Sequence, residues 1–98
     1  MTMTFSVYIL YSLKLDRFYV GISKNLDKRM YHHNHGESAY TSIGIPWILI
    51  WITLKVAKYE AEELEQKLKN LSRVRKIRFM KKYSDGVVDF ELLDQIKP

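Results

Sequence analysis

Two short apolar segments, Val7-Tyr8-Ile9-Leu10 and Phe18-Tyr19-Val20-Gly21-Ile22, lie close together near the start of the chain. Both are rich in β-branched and aromatic residues, and a short polar segment, residues 12–17, lies between them, so the pattern predicts an antiparallel β-hairpin. Side chains alternate between the two faces of a strand. A loop with an even number of residues, either 14–15 or 13–16, therefore places Tyr8 and Tyr19 on one face of the sheet, directly opposite each other or on the near diagonal.

Gly21 shares a face with Tyr19, because the two residues are two positions apart in the same strand. A glycine in a strand leaves backbone without a covering side chain, which predicts open surface that a ligand could approach. Two phenols beside bare backbone form a candidate site. Taken singly, these residues favour plainer explanations, since tyrosine is common in strands and Gly21 can simply mark a β-bulge.

The composition is that of a small folded domain. The chain has 98 residues, of which 47% are apolar, and this predicts one domain over residues 1–98 rather than a disordered chain. It has no cysteine, which excludes a disulfide framework and a thiolate metal site. The longest apolar segment, residues 45–54, is too short to cross a bilayer, and the first residues do not resemble a signal peptide. A cytoplasmic protein without a membrane partner is expected.

The positive charge is concentrated in the second half of the chain. The net charge is +5, and eight of the sixteen lysines and arginines fall within residues 67–82. Clustered cations predict a polyanionic partner, because their contact with phosphates releases bound counterions and so favours binding. Nucleic acid is the favoured partner. The alternative is an ordinary solvated helix surface. The eight residues are Lys67, Lys69, Arg73, Arg75, Lys76, Arg78, Lys81 and Lys82.

A helix is predicted directly after the hairpin. Asn25 suits its N-cap and Gly36 its end, while Leu26, Met30 and a residue near position 33 face the sheet. Arg29 and His33 are four positions apart, so they are expected on one edge of this helix, beside its buried stripe.

The remaining chain predicts one more strand and at least two helices. After a polar loop at residues 37–44, the segment 47–54 is almost entirely apolar, which predicts a strand covered on both faces and central in the sheet. Helical spacing predicts a helix over residues 58–70. Ser72 is expected to cap a further helix with Val74, Ile77 and either Phe79 or Met80 facing inward. A turn is predicted at residues 84–86, and the tail forms either an edge strand or a segment across the core.

Four motifs now follow one another in a recognisable order: Val7-Tyr8; Tyr19-Val20-Gly21; Asn25-Leu26-x-x-Arg29-x-x-x-His33-Asn34; and Glu60-Ala61-x-x-x-Glu65-x-x-Leu68-Lys69. Together they resemble the GIY-YIG nuclease superfamily. The resemblance covers about residues 5–80 and is greatest to its small standalone bacterial members, which are related to the N-terminal nuclease domain of the excision-repair nicking subunit.

The resemblance implies an α+β fold with a three-stranded antiparallel sheet flanked by helices. It also implies an endonuclease that uses one Mg²⁺, or Mn²⁺ in its place, to hydrolyse phosphodiester bonds, by nicking or structure-selective cutting in DNA repair. By position, Tyr8 and Tyr19 match the two tyrosines of the family, Arg29 its helix arginine, His33 its histidine or tyrosine one turn later, and Glu65 its metal ligand.

The chemistry of these side chains fits that division of labour. Arg29 offers a planar fork for phosphate oxygens. A tyrosine has an unperturbed pKa of about 10, so ionising it at neutral pH costs about 4 kcal/mol, and a nearby cation, Arg29 or the metal, is expected to reduce that cost. His33 could act as the base, or could position the water or a tyrosine. Which tyrosine activates the water is left open.

Several alternatives accompany this interpretation. Glu65 could merely pair with Lys69 four residues later, and the three histidines at positions 32, 33 and 35 could suggest zinc, although no cysteine or carboxylate completes such a set. Ile22 stands where some family members have a lysine, whose role Lys24 could take. The chain could also be a nucleic-acid-binding module or adaptor without catalysis, or a domain that docks on a partner protein.

DNA is the expected substrate, branched or damaged forms included, with RNA as an alternative and a protein partner also allowed. No zinc finger or recognition helix accompanies the motifs, so sequence-specific cutting is not expected. The residues predicted to contact the nucleic acid are Gly21, Lys24, Lys67, Lys69, Arg73, Arg75, Lys76 and Arg78.

Overall fold

The computed structural model describes residues 4–37 and 41–98 and has the predicted α+β architecture. Three antiparallel strands, β1 (Phe5–Ser12), β2 (Arg17–Ser23) and β3 (Trp47–Lys55), form a sheet in the order β2-β1-β3. One helix lies between β2 and β3, α1 (Leu26–Asn34). Three helices follow β3: α2 (Lys58–Asn70), α3 (Arg73–Lys82) and α4 (Phe90–Gln95). Short 3-10 turns occur at Ser42–Gly44 and Ser84–Gly86.

The hairpin has one of the two predicted registers. Its loop is residues 13–16, and Tyr8 faces Gly21 while Leu10 faces Tyr19 across the β1–β2 pair. Tyr8 and Tyr19 therefore lie on the same face and on the near diagonal, as predicted.

The predicted ends of α1 are also confirmed. The Asn25 side chain accepts a hydrogen bond from the backbone N–H of Lys28, which satisfies a free donor of the first turn. Gly36 has a φ of 70°, and beside it the N–H of Glu37 donates to the carbonyl of His32. This left-handed conformation closes the helix and is one that glycine adopts without strain.

The prediction that β3 is the central strand is wrong, because β1 lies between the other two. All eight residues of β1 are buried. The tail meets β3 through an isolated antiparallel bridge between Trp51 and Val87, and the N–H of Val88 donates to the carbonyl of Ile50 at 2.9 Å. The apolar sequence of β3 therefore reflects cover on both faces of the sheet and not a central position in it.

The helices cover the two faces of the sheet unequally. One face buries Tyr8, Leu10 and Trp47 against Leu26 and Met30, so α1 packs there. The opposite face carries Val7 and Ile9 and packs against the other three helices. These helices contribute a shared apolar set: Ala61, Leu68, Ile77, Met80, Leu93 and Ile96.

Two predictions about the late helices are now decided. Ser72 caps α3 by accepting from the N–H of Arg75, and Ile77 and Met80 face inward as predicted. Val74 does not, since 37% of its surface is exposed. The tail lies across the core through Leu93 and Ile96 after its bridge to β3. Within the two described ranges, no helix is both long and apolar enough to cross a membrane.

Candidate active site

Tyr8 lies across the backbone of β2 at Gly21. A methyl group built at Gly21 would be 2.5 Å from the Cζ and hydroxyl oxygen of Tyr8, far inside van der Waals contact. Tyr8 itself is 0% exposed. The prediction of open surface at Gly21 is therefore wrong, because the phenol ring of the facing strand fills that space. Gly21 is buried, and its contribution is to let this ring pass.

His33 projects from α1 onto the same face and meets Tyr8. It is fully buried rather than beside the buried stripe, with its Nε2 3.2 Å from the Tyr8 oxygen and its Nδ1 3.0 Å from Oγ1 of Thr41. Burial lowers the pKa of His33 below its usual value, and the positive charges of Arg29 and His32 lower it further. The imidazole is therefore neutral at neutral pH, with one ring nitrogen as donor and the other as acceptor.

Arg29 joins the two tyrosines. Its guanidinium is close enough to both phenols to interact with them, and the interaction with Tyr8 is the main reason that its pKa is raised above its usual value. Its Nε is buried and has no acceptor among the residues that the structure describes. A buried donor without a partner is rare in folded proteins and calls for an explanation.

The pKa of Tyr8 is raised above its usual value. Burial is the largest cause, and the Arg29 hydrogen bond and charge pull in the opposite direction without cancelling it. Arg29 thus acts on the phenol as expected, but burial outweighs it. The Tyr8 hydroxyl shares one hydrogen bond with Nε2 of His33, and Oγ1 of Thr41 shares another with Nδ1, so one nitrogen of the neutral ring donates and the other accepts.

Tyr19 completes the group from β2. It is partly exposed, and its ring stands 5.0 Å from that of His33 and 6.1 Å from that of Trp47. Two phenols, a guanidinium and a neutral imidazole thus meet on one face of the sheet. Such a group can bind an anion through Arg29 and can exchange protons with it through Tyr19.

Glu65 comes from α2, on the other side of the sheet. Its carboxylate is still close enough to Tyr8 for its negative charge to contribute to the raised pKa of that phenol. Its side chain is 18% exposed and pairs with the Lys69 ammonium at 3.4 Å, the alternative that the spacing also allowed. The carboxylate borders a hollow of about 620 Å³ that Ile22, Tyr59, Glu62, Glu63 and Gln66 also line.

The donor set of this hollow fits a hard divalent cation. Carboxylate, phenol and amide oxygens are the ligands that Mg²⁺ takes, and one direct carboxylate is enough when water and substrate supply the rest. No cluster of three or more histidine, cysteine, aspartate or glutamate side chains that could hold a metal occurs in residues 4–37 and 41–98. Of the other two histidines, His32 pairs with Glu37 at 3.1 Å, and His35 stacks on Tyr31.

Comparison with known proteins identifies the family of the chain. The model of the GIY-YIG catalytic domain matches residues 4–78, three quarters of the chain. The chain belongs to the GIY-YIG family. Membership places it in a superfamily of nucleases, whose substrates are nucleic acids.

The relatives are small proteins of similar length. A UPF0213 protein of Staphylococcus saprophyticus is 35% identical over 63 residues, which are 63% of this chain and 77% of the relative. One from Bacillus licheniformis is 34% identical over 74 residues, 74% of this chain and 76% of the relative. The solution NMR structure of a UPF0213 protein from Bacillus halodurans is 31% identical, with a TM-score of 0.55 over 81% of this chain and 84% of that one. The chain is thus similar, over most of its length, to small proteins.

The cations predicted to contact nucleic acid are spread over different parts of this GIY-YIG domain. Lys24 lies over the ring of Phe5 and Lys67 over that of Phe79, whereas Arg75 and Arg78 are exposed on α3. Lys69 pairs with Glu65.

Two of the predicted cations have structural roles instead. Arg73 donates to the backbone oxygen and the carboxylate of Asp16, and also to the carbonyl of Lys97. It therefore ties the hairpin loop to the tail, and its prediction as a freely available phosphate ligand is corrected. The Lys76 ammonium donates to the carbonyl of Leu71 and is partly buried, which lowers its pKa.

Sequence reasoning missed Thr41 and Asn34. Thr41 is 0% exposed, and it holds the His33 ring and accepts from the indole N–H of Trp47 through its carbonyl. The Asn34 amide makes two hydrogen bonds to the backbone of Trp47, at 2.6 and 3.1 Å, and so docks α1 onto β3. Thr41 stands in a polar loop without any local signal, whereas Asn34 belongs to the motif and could have been chosen on that ground.

The burial of His33 predicts a loss of stability in mild acid. The unfolded imidazole has a pKa of about 6.5, and the folded one lies lower. Between these two values the unfolded chain binds more protons, so the free energy of unfolding should fall as the pH drops through about 6.5 towards the folded pKa. Urea denaturation from pH 8 to pH 5 should show this fall in the wild type and a smaller one in His33→Gln. An identical pH dependence in both would contradict the assignment.

Proposed function

We propose that this GIY-YIG protein is a metal-dependent endonuclease that hydrolyses phosphodiester bonds in DNA, by nicking or by structure-selective cutting. The observation that carries the proposal is the group in which Tyr8, hydrogen-bonded to a buried, neutral His33, lies beside Tyr19 and within the influence of the Arg29 charge. Branched or damaged DNA, encountered in the cytoplasm during repair, is the substrate that this function implies.

Arg29 is the phosphate ligand in this proposal. It is only partly buried, and a guanidinium has more N–H donors than the two phenols use. Its buried Nε lacks an acceptor in the described part of the chain, as expected of a donor set completed by substrate. A positive group held in place before substrate arrives stabilises charge on the phosphoryl oxygens without reorganisation during the reaction.

The two tyrosines have different tasks because their exposure differs. Tyr8 has no exposed surface, so its hydroxyl orients Arg29 and His33. Tyr19 is partly exposed and shares Arg29, so it is the phenol that can meet the attacking water. To take a proton from the water, Tyr19 must give up its own hydroxyl proton, and the neutral His33, whose ring is 5.0 Å from that of Tyr19, is the neighbouring base that takes it.

Glu65 is the residue that would hold the divalent cation, Mg²⁺ or Mn²⁺. When bound, such an ion neutralises charge on the phosphate and makes water easier to deprotonate. The oxygen-rich hollow around Glu65 supports this role, and so does its electrostatic contact with Tyr8. Four exposed cations, Lys24, Lys67, Arg75 and Arg78, are available for further phosphate contacts.

Replacing Glu65 by glutamine should reduce nicking of supercoiled plasmid in Mg²⁺ by about 100-fold, since it removes the charge that holds the cation. Glu60→Gln is the matched control: it makes the same change on the same helix at an exposed carboxylate that does not line this hollow, and it should nick at close to the wild-type rate. If the wild-type chain binds plasmid, hairpin and branched DNA but cuts none of them in Mg²⁺ or Mn²⁺, the protein is a binding module and the proposed nuclease activity is wrong.

Replacing Lys69 by methionine should tighten the binding of Mn²⁺ to the free protein several-fold. The ammonium now 3.4 Å from Glu65 competes with a cation for that carboxylate, and a unit charge at about 4 Å is worth about 1 kcal/mol in water. Lys58→Met removes an ammonium paired with Glu62 at the same helical spacing and should have a smaller effect. Calorimetric titration measures both, and weaker or unchanged binding in Lys69→Met would contradict the competition.

A further inference from the structure

A groove of about 720 Å³ runs along the outer side of β2 and begins at Tyr19. We call it the β2 groove. Its described lining includes three cations, and none of its described lining residues is acidic. The lining residues are Leu15, Arg17, Phe18, Tyr19, Val20, Ile43, Trp47, Lys69 and Lys76.

The three cations are free to bind an anion to different degrees. Arg17 is exposed and forms no ion pair with any residue in the described ranges. Lys69 is shared with Glu65. Lys76 is bound to a backbone carbonyl through one of its three donors, and an anion in the groove would favour its charged form against the effect of burial.

A further cleft among the described residues is less suited to a polyanion. It holds about 530 Å³ beside Trp51 and Phe79, and its lysines, Lys55, Lys67 and Lys82, share it with Asp85. Glu60 and Glu63 border the adjoining depression beside Lys55 and Lys67. Net positive charge without opposing carboxylates is therefore a property of the β2 groove.

The β2 groove is continuous with the candidate active site. Tyr19 lines the groove, its ring stands 5.0 Å from that of His33, and its phenol is close enough to Arg29 to interact with the guanidinium. A chain of phosphates with one member at Arg29 would therefore have its neighbours at the mouth of the groove.

The apolar lining points to a single strand rather than a duplex. Leu15 and Phe18 are partly exposed in the groove, and Ile43 is 60% exposed there. Such side chains contact the faces of unpaired bases, which a duplex keeps stacked inside. We infer that the β2 groove holds a single nucleic-acid strand continuing from the scissile phosphate, with Arg17, Lys69 and Lys76 on its phosphates. This inference rests on the proposed function, because the scissile phosphate defines where the strand enters.

The test is binding of a fluorescein-labelled oligothymidylate, followed by anisotropy at several salt concentrations, with chelator present so that no cleavage occurs. Arg17→Gln should weaken binding several-fold and make the salt dependence shallower by about 0.7, the contribution of one phosphate contact in a single strand. Lys14→Gln is the matched control, since Lys14 is exposed in the adjoining loop and does not line the groove. It should bind like the wild type, which should prefer the single strand to a duplex of the same length.

If Arg17→Gln and Lys14→Gln lose affinity for oligothymidylate equally, general charge attraction explains the binding and the inference is wrong. If polyglutamate binds in place of oligothymidylate, the groove takes an acidic peptide and the inference is also wrong. The outcome for the nuclease is separate. If Arg17→Gln cleaves DNA at the wild-type rate, the inference about the groove is wrong and the proposed nuclease activity stands. If binding depends on Arg17 but no metal ion supports cleavage, strand binding in the groove is supported and the proposed nuclease activity is contradicted.

Discussion

The candidate site depends on one steric constraint, the passage of the Tyr8 ring over the backbone of Gly21. Any side chain at that position would collide with the ring at 2.5 Å, so the phenol could not lie between the strands and α1 as it does. From this position its oxygen meets Arg29 and His33, which arrive together because they are one helical turn apart on α1. The glycine at position 21 of β2 thus decides where the guanidinium of Arg29 and the imidazole of His33 can meet.

Burial then sets the protonation of this group. It raises the pKa of Tyr8 and lowers that of His33, so both are neutral at neutral pH and Arg29 carries the charge among these three side chains. A neutral phenol beside a neutral imidazole leaves a proton acceptor available, whereas a phenolate would instead have neutralised Arg29. This arrangement keeps the positive charge of Arg29 for an anionic substrate, which is consistent with membership of a nuclease superfamily.

Much of this could be predicted because the signals are local. The alternation in β1 and β2 placed Tyr8 and Tyr19 on one face, and Asn25 and Gly36 bounded α1 correctly. The position of β3 could not be predicted, because an apolar strand shows only that both faces are covered, and the contact that mattered comes from Val87 in the distant tail.

The charged residues show the same limit. A helical period spreads adjacent cations around a helix, so the cations of the basic segment are divided between two clefts. Arg73 instead pairs with Asp16 of the hairpin loop. Likewise, the bare backbone at Gly21 suggested open surface because nothing local shows that Tyr8 fills it. Pairings across the fold, such as that of Thr41 with His33, leave no trace in the spacing of the sequence.

The central claim is that the Tyr8 hydroxyl organises a reactive group and is not merely part of the core. Single-turnover cleavage of DNA by Tyr8→Phe tests it most directly, because phenylalanine keeps the ring over Gly21 and removes only the oxygen. We expect the rate to fall about 100-fold, as misplacement of a catalytic group does, while the variant stays folded and Tyr31→Phe, changed at an exposed tyrosine of α1, cuts normally. A folded Tyr8→Phe that cuts at the wild-type rate would contradict the account.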